Sequence, residues 1–342
     1  MTTGVRRLVR TAVALATICA AATLVPTSPA QARSDARAGQ PRATAVPGGI
    51  IAFSTGFVLI GPDLGVDAEI FTVHPDGSGE RQLTHLTPGL TGAGSPSISP
   101  DGRQIAYISN QSGAYSIWLM NIDGTNQHLL LAKAGIDFFE PSWSPDGSHL
   151  VVAACQSFGF ASWCDIDLLK SDGSGLRLLV GGHRTHEFPR YSPDGQTVAF
   201  DSNRAGLKSA VWAVDVASGH LTRLTRPTAE AQEPAYSPNG RRLLFTANCC
   251  QSTNQLDTAR ANGASAQPLL VEPGGHFAAF GSYSPDGRRI VFLSDANYDP
   301  GAAADLFTMR ADGTDVRAIV TDQPFVVVSS WGVSAPAKGV TR

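Results

Sequence analysis

Three glutamates lead into short segments that carry a proline: Glu140 in "FFEP", Glu187 in "THEFP" and Glu233 in "AQEP". Carboxylates brought together can hold a cation or the basic group of a partner, whereas carboxylates left apart are solvated rim charges. The stretch "HRTHE" (183–187) adds His183 and His186 beside Glu187. These are candidates to ligate Zn²⁺ or Mn²⁺, given a third ligand from elsewhere such as His276. Their order, H-x-x-H-E, is not the H-E-x-x-H helix of zinc peptidases, and no helical pattern surrounds them. Acyl-transfer chemistry finds no nucleophile elbow, because no G-x-S-x-G occurs and the nearest approach, "GVSAP" (332–336), ends in Pro336. Phe158, Trp163 and Tyr298 fall in variable loops, where aromatics either contact a protein or glycan or fold back over strand ends.

The N-terminus reads as an export signal. Arg6, Arg7 and Arg10 form a basic segment, residues 11–25 an apolar run, and Ala30-Gln31-Ala32 a cleavage site of small residues. Arg6-Arg7 also admits the twin-arginine route, while Cys19 follows Ile18 rather than the small residue a lipoprotein signal needs. Loss of residues 1–32 removes three arginines and moves the formal charge from −3 to −6. An acidic chain of this kind offers no basic footprint for nucleic acid, and the mature chain has no second stretch of membrane length. Cys155, Cys164, Cys249 and Cys250 remain, and an exported protein permits disulfides. Cys155 and Cys164 suit a hairpin staple; the adjacent Cys249 and Cys250 either join each other or stay free.

The elements that must position these groups come from a repeat. "YSPDGQTVAF" (191–200) recurs as "ISPDGRQIAY" (98–107), "WSPDGSHLVV" (143–152), "YSPNGRRLLF" (236–245) and "YSPDGRRIVF" (283–292). The motif prolines Pro100, Pro145, Pro193, Pro238 and Pro285 are 45, 48, 45 and 47 residues apart. Within one unit, "EPSWS" (140–144) is short and extended, Pro-Asp-Gly turns the chain, "HLVVAA" (149–154) is a strand, and "CDIDLLK" (164–170) alternates with period two. "SDGSG" (171–175) turns again into "LRLLV" (176–180). Four strands in a period of forty-odd residues make a propeller blade.

The ends close the ring. "GGIIAFS" (48–54) matches a second strand, and "VVVSSWGVS" (326–334) matches a first strand with Trp331 where Trp143 stands. The expected fold is all-β: a six-bladed β-propeller of four-stranded antiparallel blades, closed by the C-terminal strand pairing into the N-terminal blade. Ile98, Trp143, Tyr191, Tyr236, Tyr283 and Trp331 fill the space between sheets, and the repeated aspartates are turn formers rather than catalysts. The expected division is a signal peptide at 1–32, a disordered linker at 33–46, the propeller at 47–334 and a disordered tail at 335–342. The short SPDG and DG turns share one face. The loops 54–69, 155–164, 248–255 and 294–305 vary and share the other.

The motif W/Y-S-P-D-G-x-x-[IV]-[AV]-[FY], followed by a D-G turn, resembles the TolB-type, WD-repeat-like propeller repeat over residues 47–334. TolB is a periplasmic protein of an envelope system, and peptidases and some metal-dependent polysaccharide lyases carry similar propellers. The resemblance implies the fold, and with it an extracytoplasmic scaffold. The expectation is a secreted or periplasmic, non-catalytic propeller without a cofactor, binding a protein of the envelope or exterior, or a glycan, through its variable loops. Glu140, Glu187, Glu233, Phe158, Trp163 and Tyr298 are its candidate contacts. The alternative is a metal-assisted carbohydrate-active enzyme built on His183 and His186 at the channel mouth.

Overall fold

The computed structural model describes residues 48–333 apart from 56–67, 89, 159–160, 207, 227–229, 249–253, 273–275, 296–303, 322 and 324–325. The segments 1–32 and 33–46, the tail, Cys249, Cys250 and Tyr298 therefore lie outside the described residues. Among the described residues the structure is 24 strands in six four-stranded antiparallel sheets, with no helix.

The first blade joins the two ends of the chain: β1 (Ile50–Thr55), β2 (Glu69–Val73) and β3 (Arg81–Gln82) are completed by β24 (Val326–Gly332). Ile51 pairs with Trp331 and Ala52 with Ser330, so head and tail are one sheet. The second blade is β4 (Ala93–Ile98), β5 (Gln104–Ser109), β6 (Ser116–Asn121) and β7 (His128–Leu131). The third is β8 (Asp137–Trp143), β9 (His149–Phe158), β10 (Ala161–Lys170) and β11 (Arg177–Val180). β12 (His186–Tyr191), β13 (Thr197–Ser202), β14 (Ala210–Asp215) and β15 (Leu221–Arg223) make the fourth. β16 (Ala231–Tyr236), β17 (Arg242–Ala247), β18 (Gln255–Arg260) and β19 (Gln267–Leu270) make the fifth. The sixth is β20 (Ala278–Tyr283), β21 (Arg289–Ser294), β22 (Asp305–Arg310) and β23 (Arg317–Val320).

The repeated turn explains its own sequence. In the fourth blade the Ser192 hydroxyl donates to Asp194 Oδ1 at 2.6 Å, and the same oxygen accepts the Gln196 N–H at 3.0 Å. Ser192 Oγ then accepts the Thr197 N–H at 3.0 Å. Asn239 does the work of the aspartate in the fifth blade, accepting from Ser237 at 2.9 Å and from the Arg241 N–H at 3.0 Å. Gly195 closes the turn at φ +71°, and a Cβ there would sit 3.6 Å from Pro145 of the preceding blade. Each SPDG thus makes a turn and a contact between blades. Trp143 has a similar packing role: it is buried, and its indole Nε1 donates to the Ser97 carbonyl of the second blade at 3.0 Å.

Apolar faces of adjacent sheets meet between blades, with Phe53, Tyr107, Phe138, Phe200 and Phe292 fully buried. Full burial of such side chains is the main favourable contribution to folding, and the radial arrangement leaves each blade only short edges, the inner one turned toward the central channel.

Candidate functional site: an acidic channel

Each inner strand departs from the simple extended form at the same place. The register of β4, β8, β12, β16 and β20 against its neighbour slips by one residue at Gly94/Ser97, Phe139/Ser142, Glu187/Arg190, Gln232/Ala235 and Ala279/Ser282. One residue in each bulge takes a left-handed backbone: Ser95 (φ 50°), Glu140 (55°), Phe188 (52°), Glu233 (57°) and Phe280 (56°). Four of the five precede proline, a context that favours extended backbone, so "EPSWS" is extended only after its glutamate. A left-handed non-glycine residue costs of order 1–3 kcal/mol, and the surrounding structure must hold it.

Hydrogen bonds between blades supply that hold. The Phe188 N–H donates to Glu140 Oε2 across the boundary between the third and fourth blades. The Glu233 N–H donates to Asp201 Oδ1 at 3.4 Å. The Phe280 N–H donates to Glu233 Oε2 at 2.9 Å, an oxygen that also accepts the Thr246 hydroxyl at 2.6 Å. Carboxylates therefore clip the bulges together over half the ring.

Their charge is far from balanced. Arg190 is the cation that acts on Glu140, Glu233 and Asp201 through space, while its Nη1 donates to the Pro189 carbonyl at 2.9 Å. Ser97, Ser142, Ala235, Ser282 and Ser330 stand at the equivalent positions of the other blades, so one arginine faces a ring of small side chains. Arg190 lines two spaces: one of about 130 Å³ with Phe188, Glu233 and Phe280, and one of about 180 Å³ with Ser97, Ser142, Ser282 and Ser330.

Burial pushes the carboxyls of Glu140 and Glu233 up to about 7, against the Phe188 N–H and Arg190 for the first and the Thr246 hydroxyl, Phe280 N–H and Arg190 for the second. Glu187 and Asp201 are raised well above their ordinary values, first by burial and then by the Glu140 charge. Glu187 is 5% exposed; its Oε2 has no hydrogen-bond partner and its Oε1 lies 3.9 Å from Cys164 Sγ. Glu140 is half-buried. In all four groups burial disfavours the ionised carboxyl, and for Glu140, Glu187 and Asp201 a neighbouring carboxylate acts in the same direction.

The structure thus brings Glu140, Glu187 and Glu233 together. His183 and His186 part company. His186 is fully buried, with Nδ1 2.7 Å from Ser202 Oγ and Nε2 unpartnered, and burial holds its pKa down at about 4. His183 is exposed and packs on Trp163 at 4.7 Å between ring centroids, while His276 lies 3.4 Å from Asp295. Among the described residues no group of three or more His, Cys, Asp or Glu side chains could hold a metal ion. Trp163 belongs to the hairpin of β9 and β10, ten residues each where the equivalent strands have five or six. The Cys155–Cys164 disulfide staples that hairpin across directly opposed residues. Phe158 ends β9.

Sequence reasoning missed Arg190 and Asp201. Each differs from its counterparts, Asp201 replacing Ser54, Ile108, Ala153, Thr246 and Leu293, but that signal exists only once the blades are superposed in register.

Six closed blades around an acidic channel define a propeller scaffold, and comparison with known proteins gives its kind. The family model of the TolB β-propeller domain matches residues 165–323. An uncharacterised protein of Agrobacterium fabrum is 32% identical over 263 residues, 74% of this chain and 79% of that protein. The Tol-Pal system protein TolB of an Anaeromyxobacter species is 31% identical over 173 residues, 48% of this chain and 37% of its own length. The crystal structure of TolB from Acinetobacter baumannii superposes with a TM-score of 0.67 at 20% identity, over 84% of this chain and 67% of that one. An oligogalacturonate lyase with manganese, at 15% identity and a TM-score of 0.54 over 79% of this chain and 74% of its own, shares the fold alone. The chain belongs to the TolB-like β-propeller family.

Proposed function

We propose that the protein acts outside the cytoplasm as a non-catalytic scaffold, and that it binds a protein partner on its variable-loop face with a basic group of that partner seated over the channel carboxylates. The observation that carries this reading is the imbalance of Glu140, Glu187, Asp201 and Glu233 against the single Arg190. An ammonium or guanidinium entering from the loop face favours the ionised carboxyls that burial disfavours, so association releases protons. The stapled hairpin beside the channel gives a rigid platform with Trp163 and His183 at hand, and loops on such scaffolds commonly carry binding. Placement outside the cytoplasm rests on the expected leader at 1–32 and is supported by the TolB likeness.

The test is affinity capture from an envelope extract, run in parallel with the protein and with a Glu140→Gln, Glu233→Gln variant. One protein retained by the parent and lost from the variant is expected. Equal capture by both, or capture by neither, contradicts the proposal.

A further inference from the structure

The opposite face carries a second charge anomaly, unrelated to the channel. In the register of the fifth blade Arg242 stands directly across from Arg260, and in the sixth Arg289 stands directly across from Arg310. Like charges in directly opposed strand positions repel and destabilise a sheet. The equivalent pairs elsewhere are Gln104 with Asn121, His149 with Lys170, and Thr197 with Asp215.

The sixth blade answers its pair with Asp315, which lies 2.8 Å from Arg289, 2.7 Å from Arg317 and 3.8 Å from Arg310. The fifth blade has no such answer. Ser265, at φ 59°, takes the place that Asp315 holds at φ 57°. Asn239 and Asn262 stand where the other units have turn aspartates such as Asp286 and Asp312. Among the described residues Arg241, Arg242 and Arg260 make no ion pair, and all three are exposed. On the neighbouring blade Arg288, Arg310 and Arg317 are also exposed, each beside an aspartate (Asp286 at 3.9 Å, Asp315 at 3.8 Å and 2.7 Å), so the arginines of the two blades still outnumber their aspartates, with Val316 41% exposed among them.

We propose that this arginine face of the fifth and sixth blades docks on the anionic phosphate surface of a phospholipid bilayer. The short turns make the face shallow, and its arginines spread over two blades instead of converging on a cavity, which suits an array of phosphates better than one small ion. Guanidinium forks match phosphate oxygens in pairs, and every basic residue of the patch is arginine. An uncompensated like-charge pair on an acidic chain is a cost that a negative surface removes.

The experiment is co-sedimentation of the purified protein with phosphatidylcholine vesicles, with and without phosphatidylglycerol, reading the difference between the two. The anionic vesicles should bind more protein, and salt near 1 M should abolish the gain, since the screening length then falls to about 3 Å. Arg242→Ser and Arg260→Ser should each lower the partition coefficient about 5-fold, and Arg242→Lys should retain most of it. Ser265→Asp installs the missing counter-charge, so it should weaken binding while raising the melting temperature, which separates lost docking from lost folding. Arg184→Ser, on the loop face, should change nothing. Equal binding to both vesicle types, or an equal loss with Arg184→Ser, overturns the proposal. So does binding to soluble inorganic polyphosphate without binding to vesicles, which assigns the patch to a free phosphate chain.

Discussion

Glu140 and Glu233 are held protonated more readily in the fold than in the open chain. Their folded values near 7 exceed the ordinary 4.5. The stability they contribute is therefore complete below about pH 4.5 and is lost as the pH rises through about 7. Asp146 acts in the opposite sense: Ser144 and Ser148 hold it near 2 from 3.8, so its contribution is present above pH 3.8 and fades as the pH falls through 2. Thermal melting should accordingly peak on the acid side of neutrality. The Glu140→Gln, Glu233→Gln variant should flatten the decline between pH 5 and 8. Arg190→Ser should lower the melting temperature more at pH 8, where it removes the cation facing ionised Glu140 and Glu233, than at pH 5, where those carboxyls are protonated. A loss independent of pH would show that Arg190 serves packing alone.

Strands and turns are where the sequence was most readable. SPDG specifies its conformation locally, through Ser192, Asp194 and Gly195 and their equivalents, so five copies could be read without any tertiary information. The Cys155–Cys164 staple was legible because a hairpin places the two residues opposite each other. The bulge was not legible. None of Ser95, Glu140, Phe188, Glu233 and Phe280 is a glycine, and for all but Phe280 the following proline argues locally for extended backbone, so the contacts between blades decide the conformation. Arg190 was hidden for the same reason, its neighbours being remote in sequence. Replacing Cys155 and Cys164 by serine should remove at most about 2–3 kcal/mol from the hairpin. The expected signature is faster proteolytic cutting within 155–164 with little change in the melting of the ring. A global loss of folding would make the staple part of the ring itself.

The whole molecule is a closed ring whose two faces differ in charge, acidic at the channel and arginine-rich on the turns of two adjacent blades. Closure was foreseeable because the first and last segments each lacked what the other supplied, and β24 pairs with β1 accordingly. Trp331→Ala empties the seam between the first and last strands and should cost about 3–5 kcal/mol. For a domain of this size that corresponds to a fall of roughly 10 °C in melting temperature, measured by circular dichroism. An unchanged melt would mean that the seam carries no weight. Binding polarity is tested most directly by a photoreactive phenylalanine analogue at position 183, exposed beside the channel, and at position 172, exposed on the opposite face. Crosslinked in the native host, position 183 should yield one protein adduct that disappears in the Glu140→Gln, Glu233→Gln background. Protein adducts confined to position 172, or adducts at 183 that ignore the loss of channel charge, would contradict it.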